Sequence, residues 1–157
     1  MLQKVSRTRR TSKAGGHFAV VASSYNARYV DSMLRAAEAA LRKAGVDGVE
    51  VIRVPGAFEI PAVASALAQR LTPRVSAVIC LGVILRGATT HAQHIGESVT
   101  QALASIQVAF RVPVVHEVLL LENEQQAQER CIDPRRNRGL EAAETALTMA
   151  RVMRSIG

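Results

Sequence analysis

Four short apolar runs, HFAVVAS (17–23), GVEVIRV (48–54), VSAVICLG (75–82) and PVVHEVLLL (113–121), recur along the chain. Each is rich in β-favouring residues and nearly continuous in its apolar character, the pattern of strands covered on both faces. Helical spacing fills the gaps between them. From Arg28 to Lys43 it places Val30, Met33, Leu34, Ala37 and Leu41 on one face, with Asn26 as the expected cap and Gly45 as the stop. A second helix is expected after Pro61, through Val63, Leu67 and Leu71. A third starts near Thr89, aligns Ala92, Ile95, Val99, Leu103, Ile106 and Phe110, and ends before Pro113. Two more run from about Asn123 to Arg130 and from Leu140 to about Arg154. This alternation implies an α/β fold in three layers, α/β/α, around a four-stranded, mostly parallel sheet joined by right-handed crossovers.

At 157 residues with 48% hydrophobic content, the chain is sized for one domain with an ordinary core. No apolar run approaches a membrane span, and MLQKVSRTRRTSKAGG lacks the apolar centre of a secretory signal, so the cytosol is the expected location. Cys80 and Cys131 match neither a disulfide framework nor a zinc spacing and are read as free thiols. Lys4, Arg7, Arg9, Arg10 and Lys13 carry five of the positive charges behind the net +7. They fall in residues 1–16, read as a basic, mobile tail preceding a single domain over 17–157. With no Trp, two Tyr and three Phe, the chain shows no basic surface interleaved with base-stacking aromatics, and nucleic acid is not an expected partner.

In a parallel α/β sheet, ligands sit beyond the carboxyl ends of the strands. Three unusual loops fall there: SSYNA, VPGAFEIP and RGATTHAQH. In the last, Gly87 permits close backbone approach, Thr89 or Thr90 can cap the helix, and the free amides of a helix start suit an anion. Arg86, Arg130, Arg135, Arg136 and Arg138 are available to grip phosphate through paired hydrogen bonds. His91 falls in the first helical turn, where the positive end of the dipole favours a neutral imidazole able to take a proton. His94 and Glu97 suggest a metal only weakly, for want of a third ligand. Glu59 can hold hydroxyls or serve a structural turn, and Tyr25 can stack on a planar ring or simply pack.

Taken together and in order, VPGAFEIP, GVILRGATTHAQHIGESV and QERCIDPRRNRGLEAAETAL closely resemble the lumazine synthase family of riboflavin biosynthesis, from about His17 to the C-terminus. The resemblance implies a flavodoxin-like fold and a transferase that needs no metal or organic cofactor. Its reaction would join 5-amino-6-(D-ribitylamino)uracil to 3,4-dihydroxy-2-butanone 4-phosphate, giving 6,7-dimethyl-8-ribityllumazine, phosphate and water. By the same resemblance Tyr25 would stack on the pyrimidine, and Ala57, Phe58 and Glu59 would hold the ribityl chain. Val83, Ile84 and Leu85 would line the pyrimidine pocket through their backbone. Ala88 and Thr89 would bind the butanone phosphate, Arg130 would grip it, and His91 would transfer protons.

Some positions depart from the family pattern. Ser24, Tyr25 and Asn26 replace a common arginine-phenylalanine-asparagine, Ala92 replaces an aromatic, and Arg138 replaces a lysine. His116 stands where a phenylalanine often reaches a neighbouring subunit's pyrimidine pocket, and is retained as a binding candidate. The resemblance also implies homo-oligomers built from pentamers, some forming icosahedral shells, with sites between adjacent subunits. The turn from Arg130 to Gly139 carries no insertion of the kind associated with members that stop at the pentamer, which leaves a shell open. A flavin- or lumazine-holding protein without turnover, and an inactive shell protein, remain alternatives at this stage.

Overall fold

The computed structural model describes residues 12–157. Strands β1 (His17–Ser23), β2 (Gly48–Val54), β3 (Val75–Leu85) and β4 (Val114–Leu121) form one sheet in the order β2-β1-β3-β4, every pair parallel. The sheet expected to be mostly parallel is therefore wholly so. Helices α1 (Ala27–Lys43) and α5 (Arg138–Ile156) pack on one face through Met33, Ala37, Ala142, Ala143 and Ala146, against Val20, Ala22, Ile79 and Leu81. On the other face, α2 (Ile60–Gln69) and α3 (His91–Phe110) bring Ala64, Leu67, Val99 and Leu103 onto Ala19, Val21, Val78 and Cys80. Alternation along each strand sends successive side chains to opposite helical layers.

The central strands follow the sequence reading closely: β1 is buried from Phe18 onward, and β3 from Ala77 to Val83. The edge strands β2 and β4 are wetter than their composition implies, because each has a neighbour on one side only. Helix α2 ends at Gln69, so Leu71, expected on its apolar stripe, lies outside the helix and is exposed. The segment from Asn123 begins with the short α4 (Glu124–Ala127), where Asn123 Oδ1 accepts from the Gln126 amide. It then widens into a π turn over Gln128–Ile132 that carries Arg130.

Of the segment read as a tail, residues 1–11 lie outside the described residues. The Ala14 and Gly15 amides donate to the carbonyls of Ala44 and Gly45 after α1, and the Gly16 amide donates to Asp47 Oδ2 at 2.7 Å. Among the described residues no helix is long and apolar enough to cross a membrane.

Candidate active site

A cavity of about 670 Å³ opens at the carboxyl ends of the strands, and its walls come from four chain segments. Tyr25 and Asn26 follow β1; Gly56, Ala57, Phe58 and Glu59 follow β2; Val83, Ile84 and Leu85 end β3; His91, His94, Ile95 and Ser98 belong to α3. The pairing of β3 explains why backbone lines this space. Residues up to Leu81 match β1, ending at Ala22, whereas β3 runs on to Leu85 and keeps only its β4 partner. The edge of β3 beyond Leu81 thus has no strand beside it on the β1 side. Asn26 Nδ2 takes one of these groups, the Val83 carbonyl, at 2.8 Å.

Asn26 was expected to cap α1, but its side chain makes no cap hydrogen bond and its backbone is left-handed, φ 57°. Asparagine tolerates this region better than most residues. Here the turn aims its amide at β3, tying the Tyr25 loop to the strand it faces. The Glu59 expectation also resolves in part: its Oε2 accepts from the Gly56 amide at 3.0 Å, closing the turn Ala57–Glu59. The second carboxylate oxygen has no such duty among the described residues. Gly56 is required by proximity, since a Cβ there would stand 2.9 Å from two ring carbons of Tyr25. The aromatic rings of Tyr25 and Phe58 are 68% and 63% exposed while bordering one cavity. Apolar rings held at a concave mouth suit a planar ligand better than they suit water.

Helix α3 presents His91, His94, Ile95 and Ser98 to the cavity, the i, i+3, i+4, i+7 set of one helical face. His94, Ile95 and Ser98 escaped the sequence reading as wall residues, although their spacing from His91 was a usable signal. The expected cap at the start of α3 is weak: Thr90 makes no side-chain cap bond, and Thr89 Oγ1 accepts from the His91 amide at 3.4 Å. His94 and Glu97 do not converge, since His94 meets Thr90 and Glu97 meets Gln93. No cluster of three or more His, Cys, Asp or Glu able to hold a metal occurs among the described residues.

Ala88, Thr89, His116 and Arg130 are not part of the cavity wall within one chain. Ala88 and Thr89 are exposed in the loop leading to α3. Arg130 projects from the π turn, which is tied to α1 by a 3.1 Å bond from Arg28 to Gln128 Oε1. His116 lies on the edge strand opposite Cys80, three residues before the Val83–Leu119 pair and so roughly 10 Å down the strand from the cavity floor. Its Nδ1 accepts from the Val118 amide at 3.1 Å, and Thr100 donates its own proton to the Gly96 carbonyl. The 2.8 Å contact between His116 Nε2 and Thr100 Oγ1 is therefore a donation from the imidazole, which fixes a neutral Nε2–H tautomer. Burial likewise holds the His116 pKa below the usual histidine value.

Across the sheet from His116, Arg138 bridges Glu117 at 3.2 Å and Glu141 at 3.0 Å. Glu117 is so enclosed that burial raises its carboxyl pKa despite the arginine. Nearby, burial raises the Cys131 thiol to about 11, and Cys80, in the sheet, to about 12, so both remain protonated and unreactive near neutrality. The β4 margin thus carries a second polar group of residues, Arg130, Arg138, Glu117 and His116, apart from the cavity.

A sequence profile of 6,7-dimethyl-8-ribityllumazine synthase matches residues 15–154. The protein of that name from Xylella fastidiosa (strain M12) is 38% identical over 145 residues, covering 91% of this chain and 93% of its own. Its namesake from Xanthomonas oryzae pv. oryzae (strain PXO99A) is 38% identical over 138 residues, covering 87% and 88%. With a four-stranded parallel sheet, helices on both faces and a cavity at its carboxyl edge, the chain belongs to the 6,7-dimethyl-8-ribityllumazine synthase family.

Proposed function

We propose that this chain condenses 5-amino-6-(D-ribitylamino)uracil with 3,4-dihydroxy-2-butanone 4-phosphate to form 6,7-dimethyl-8-ribityllumazine. The observation that carries the proposal is the cavity itself: two exposed aromatics, an unpaired strand edge, a carboxylate and a histidine border one space. Tyr25 and Phe58 offer faces to the pyrimidine and its chain, while Ala57 and Glu59 offer polar atoms to the ribityl hydroxyls. The β3 backbone from Val83 to Leu85 offers hydrogen bonds to the ring edge, one carbonyl being already held by Asn26. Ala88 and Thr89 supply the turn for the phosphate.

The substrate amine attacks the ketone, and imine formation releases one water. His91 then takes a proton from the carbon chain as the phosphate leaves, and ring closure releases a second water. Because the amine is already nucleophilic, most of the acceleration comes from holding two reactants together. His91 adds the smaller share that general acid–base catalysis supplies, about 10²–10⁴-fold.

Arg130 and His116 enter this scheme from a second copy. Within one chain they lie outside the cavity wall, yet they flank the exposed outer edge of β4, whose Leu120 is also exposed. Docking that edge against the cavity mouth of a neighbour would complete the site and cover an unpaired strand edge. Repeated around a ring, this head-to-tail contact closes into the pentamer we infer. The cytosol, where the phosphorylated substrate is retained, is the location we infer.

Turnover with both substrates, followed by lumazine absorbance, tests the reading. His91→Ala should lower kcat about 10²–10⁴-fold and leave slow residual turnover. Arg130→Ala should chiefly raise KM for the butanone phosphate, roughly 10–100-fold for a charge-assisted bond lost. Wild-type protein no faster than the uncatalysed background would overturn it.

A further inference from the structure

The loop that carries Tyr25 is clamped by a residue that is not part of the cavity wall, Arg53. It lies on β2 between Ile52 and Val54, which pack toward α2 and α3, so alternation turns its side chain to the α1 face of the sheet. There its guanidinium reaches two partners. Nη1 meets Asp31 Oδ1, one turn into α1, at 2.6 Å, and Nη2 donates to the carbonyl of Ser23, the last residue of β1, at 3.2 Å. The pairing of β1 with β3 has ended at Ala22, so Ser23 is already past its last partner on that side. One planar fork thus closes the segment from Ser23 to Asp31, which bears Tyr25 and the left-handed Asn26. A backbone in that region persists where the surroundings hold it. The other ties are the Ser24 amide to the Val54 carbonyl at 2.8 Å, the Tyr25 amide to the Pro55 carbonyl at 3.0 Å, and Asn26 to Val83. The Arg53 and Asp31 side chains are 37% and 39% exposed, and ion pairs that wet add little to folding stability. What the two-ended contact supplies is position.

We propose that Arg53 is a positioning residue for the ribitylaminouracil: from behind the sheet it acts through Tyr25, setting the height and tilt of that ring at the cavity mouth. This rests on the functional reading above, which stacks Tyr25 on the pyrimidine. Without the guanidinium, the end of β1 and the start of α1 lose their common clamp, and the ring samples orientations that do not face the ligand. Those orientations have to be given up on binding, so affinity falls although no contact with the substrate has been removed. The loss is bounded by the worth of the stacked ring itself.

The test is a double-mutant cycle on ribitylaminouracil affinity, read by fluorescence titration of assembled full-length protein. Arg53→Ala should weaken binding about three- to fivefold, inside the roughly 10-fold that loss of the Tyr25 face costs. In a Tyr25→Ala background the same substitution should change affinity by less than about 1.5-fold, because the ring it served is gone. Arg53→Lys, whose single ammonium cannot span both partners, should lose about twofold by the same route and keeps the test open if the alanine variant does not assemble. A structural role alone would leave the Arg53→Ala loss undiminished in the Tyr25→Ala background, and that result overturns the inference. So would wild-type affinity in Arg53→Ala. Wild-type protein that does not bind the ribitylaminouracil, or Tyr25→Ala with undiminished affinity, would overturn the functional reading, and this inference with it.

Discussion

Replacing Gly139 with alanine would drive two helices apart. Gly139 opens α5 where it crosses α1, and a Cβ built there stands 2.6 Å from both the Met33 carbonyl carbon and its Cα, with the carbonyl oxygen closer still. Those atoms are backbone and cannot rotate away, so the helices would have to separate by roughly 1 Å in a layer packed at near-crystalline density. That layer is built from small residues, Ala37 facing Ala142, Ala143 and Ala146, and it loses contact over its length when one end is wedged open. The cost falls at the upper end of overpacking, about 3 kcal/mol. For a domain of this size it lowers the melting temperature by about 6–12 °C. Asn137 adds a functional consequence: its side chain holds the Gly139 amide at 2.8 Å and the Cys131 carbonyl at 2.9 Å, so a shifted α5 carries Arg138 with it and also displaces the turn bearing Arg130. Gly87→Ala is the matched control, since a Cβ there meets nothing within 4 Å. Calorimetric or circular-dichroism melting of the two variants should separate them clearly. A Gly139→Ala protein melting within about 2 °C of wild type, less than 1 kcal/mol at this size, would refute the close-packing argument.

Tyr25→Ala and Phe58→Ala should each weaken ribitylaminouracil binding about 10-fold, the loss of a stacked face. Both should leave the melting temperature nearly unchanged, because each ring is mostly exposed; fluorescence titration and melting curves check the pair of effects. His116→Phe should flatten the pH dependence of stability. The folded His116 pKa lies below 6.5, so the unfolded chain binds more protons near pH 6; stability is held above pH 6.5 and lost as pH falls toward the folded value. Melting temperatures of wild type and variant from pH 8 to 5 should diverge as the pH falls, and parallel curves would remove His116 from the acid sensitivity.

Strand number, helical layers and the three site loops were legible in the sequence because each rests on local pattern: apolar continuity in β1 and β3, spacing in α1 and α3, and proline and glycine around Ala57–Glu59. The misreadings share a tertiary cause. Asn26 looks like a cap from its neighbours, but its partner is the Val83 carbonyl, 57 residues away. Leu71 fits the spacing of α2, yet the helix stops at Gln69. The π turn at Gln128–Ile132 hides within a helical pattern, since one extra residue per turn barely alters the sequence. The motifs grouped Arg130 and His116 with the cavity residues, whereas one folded chain keeps them apart from it. On the proposed assembly a second copy brings such residues together, and no periodicity within one chain encodes that contact.

That contact can be tested by complementation. His91→Ala and Arg130→Ala subunits, each slow in its own assembly when butanone phosphate is held well below the wild-type KM, would be co-expressed in equal amounts so that mixed assemblies form, and lumazine formation measured under that condition. If each site joins the cavity of one copy to the arginine of the next, about a quarter of the sites in a mixed ring hold both intact groups. The account therefore predicts recovery to about one quarter of the wild-type rate. Mixed assemblies no more active than the average of their parents would contradict it, and would put Arg130 in the same chain's site or outside the chemistry altogether.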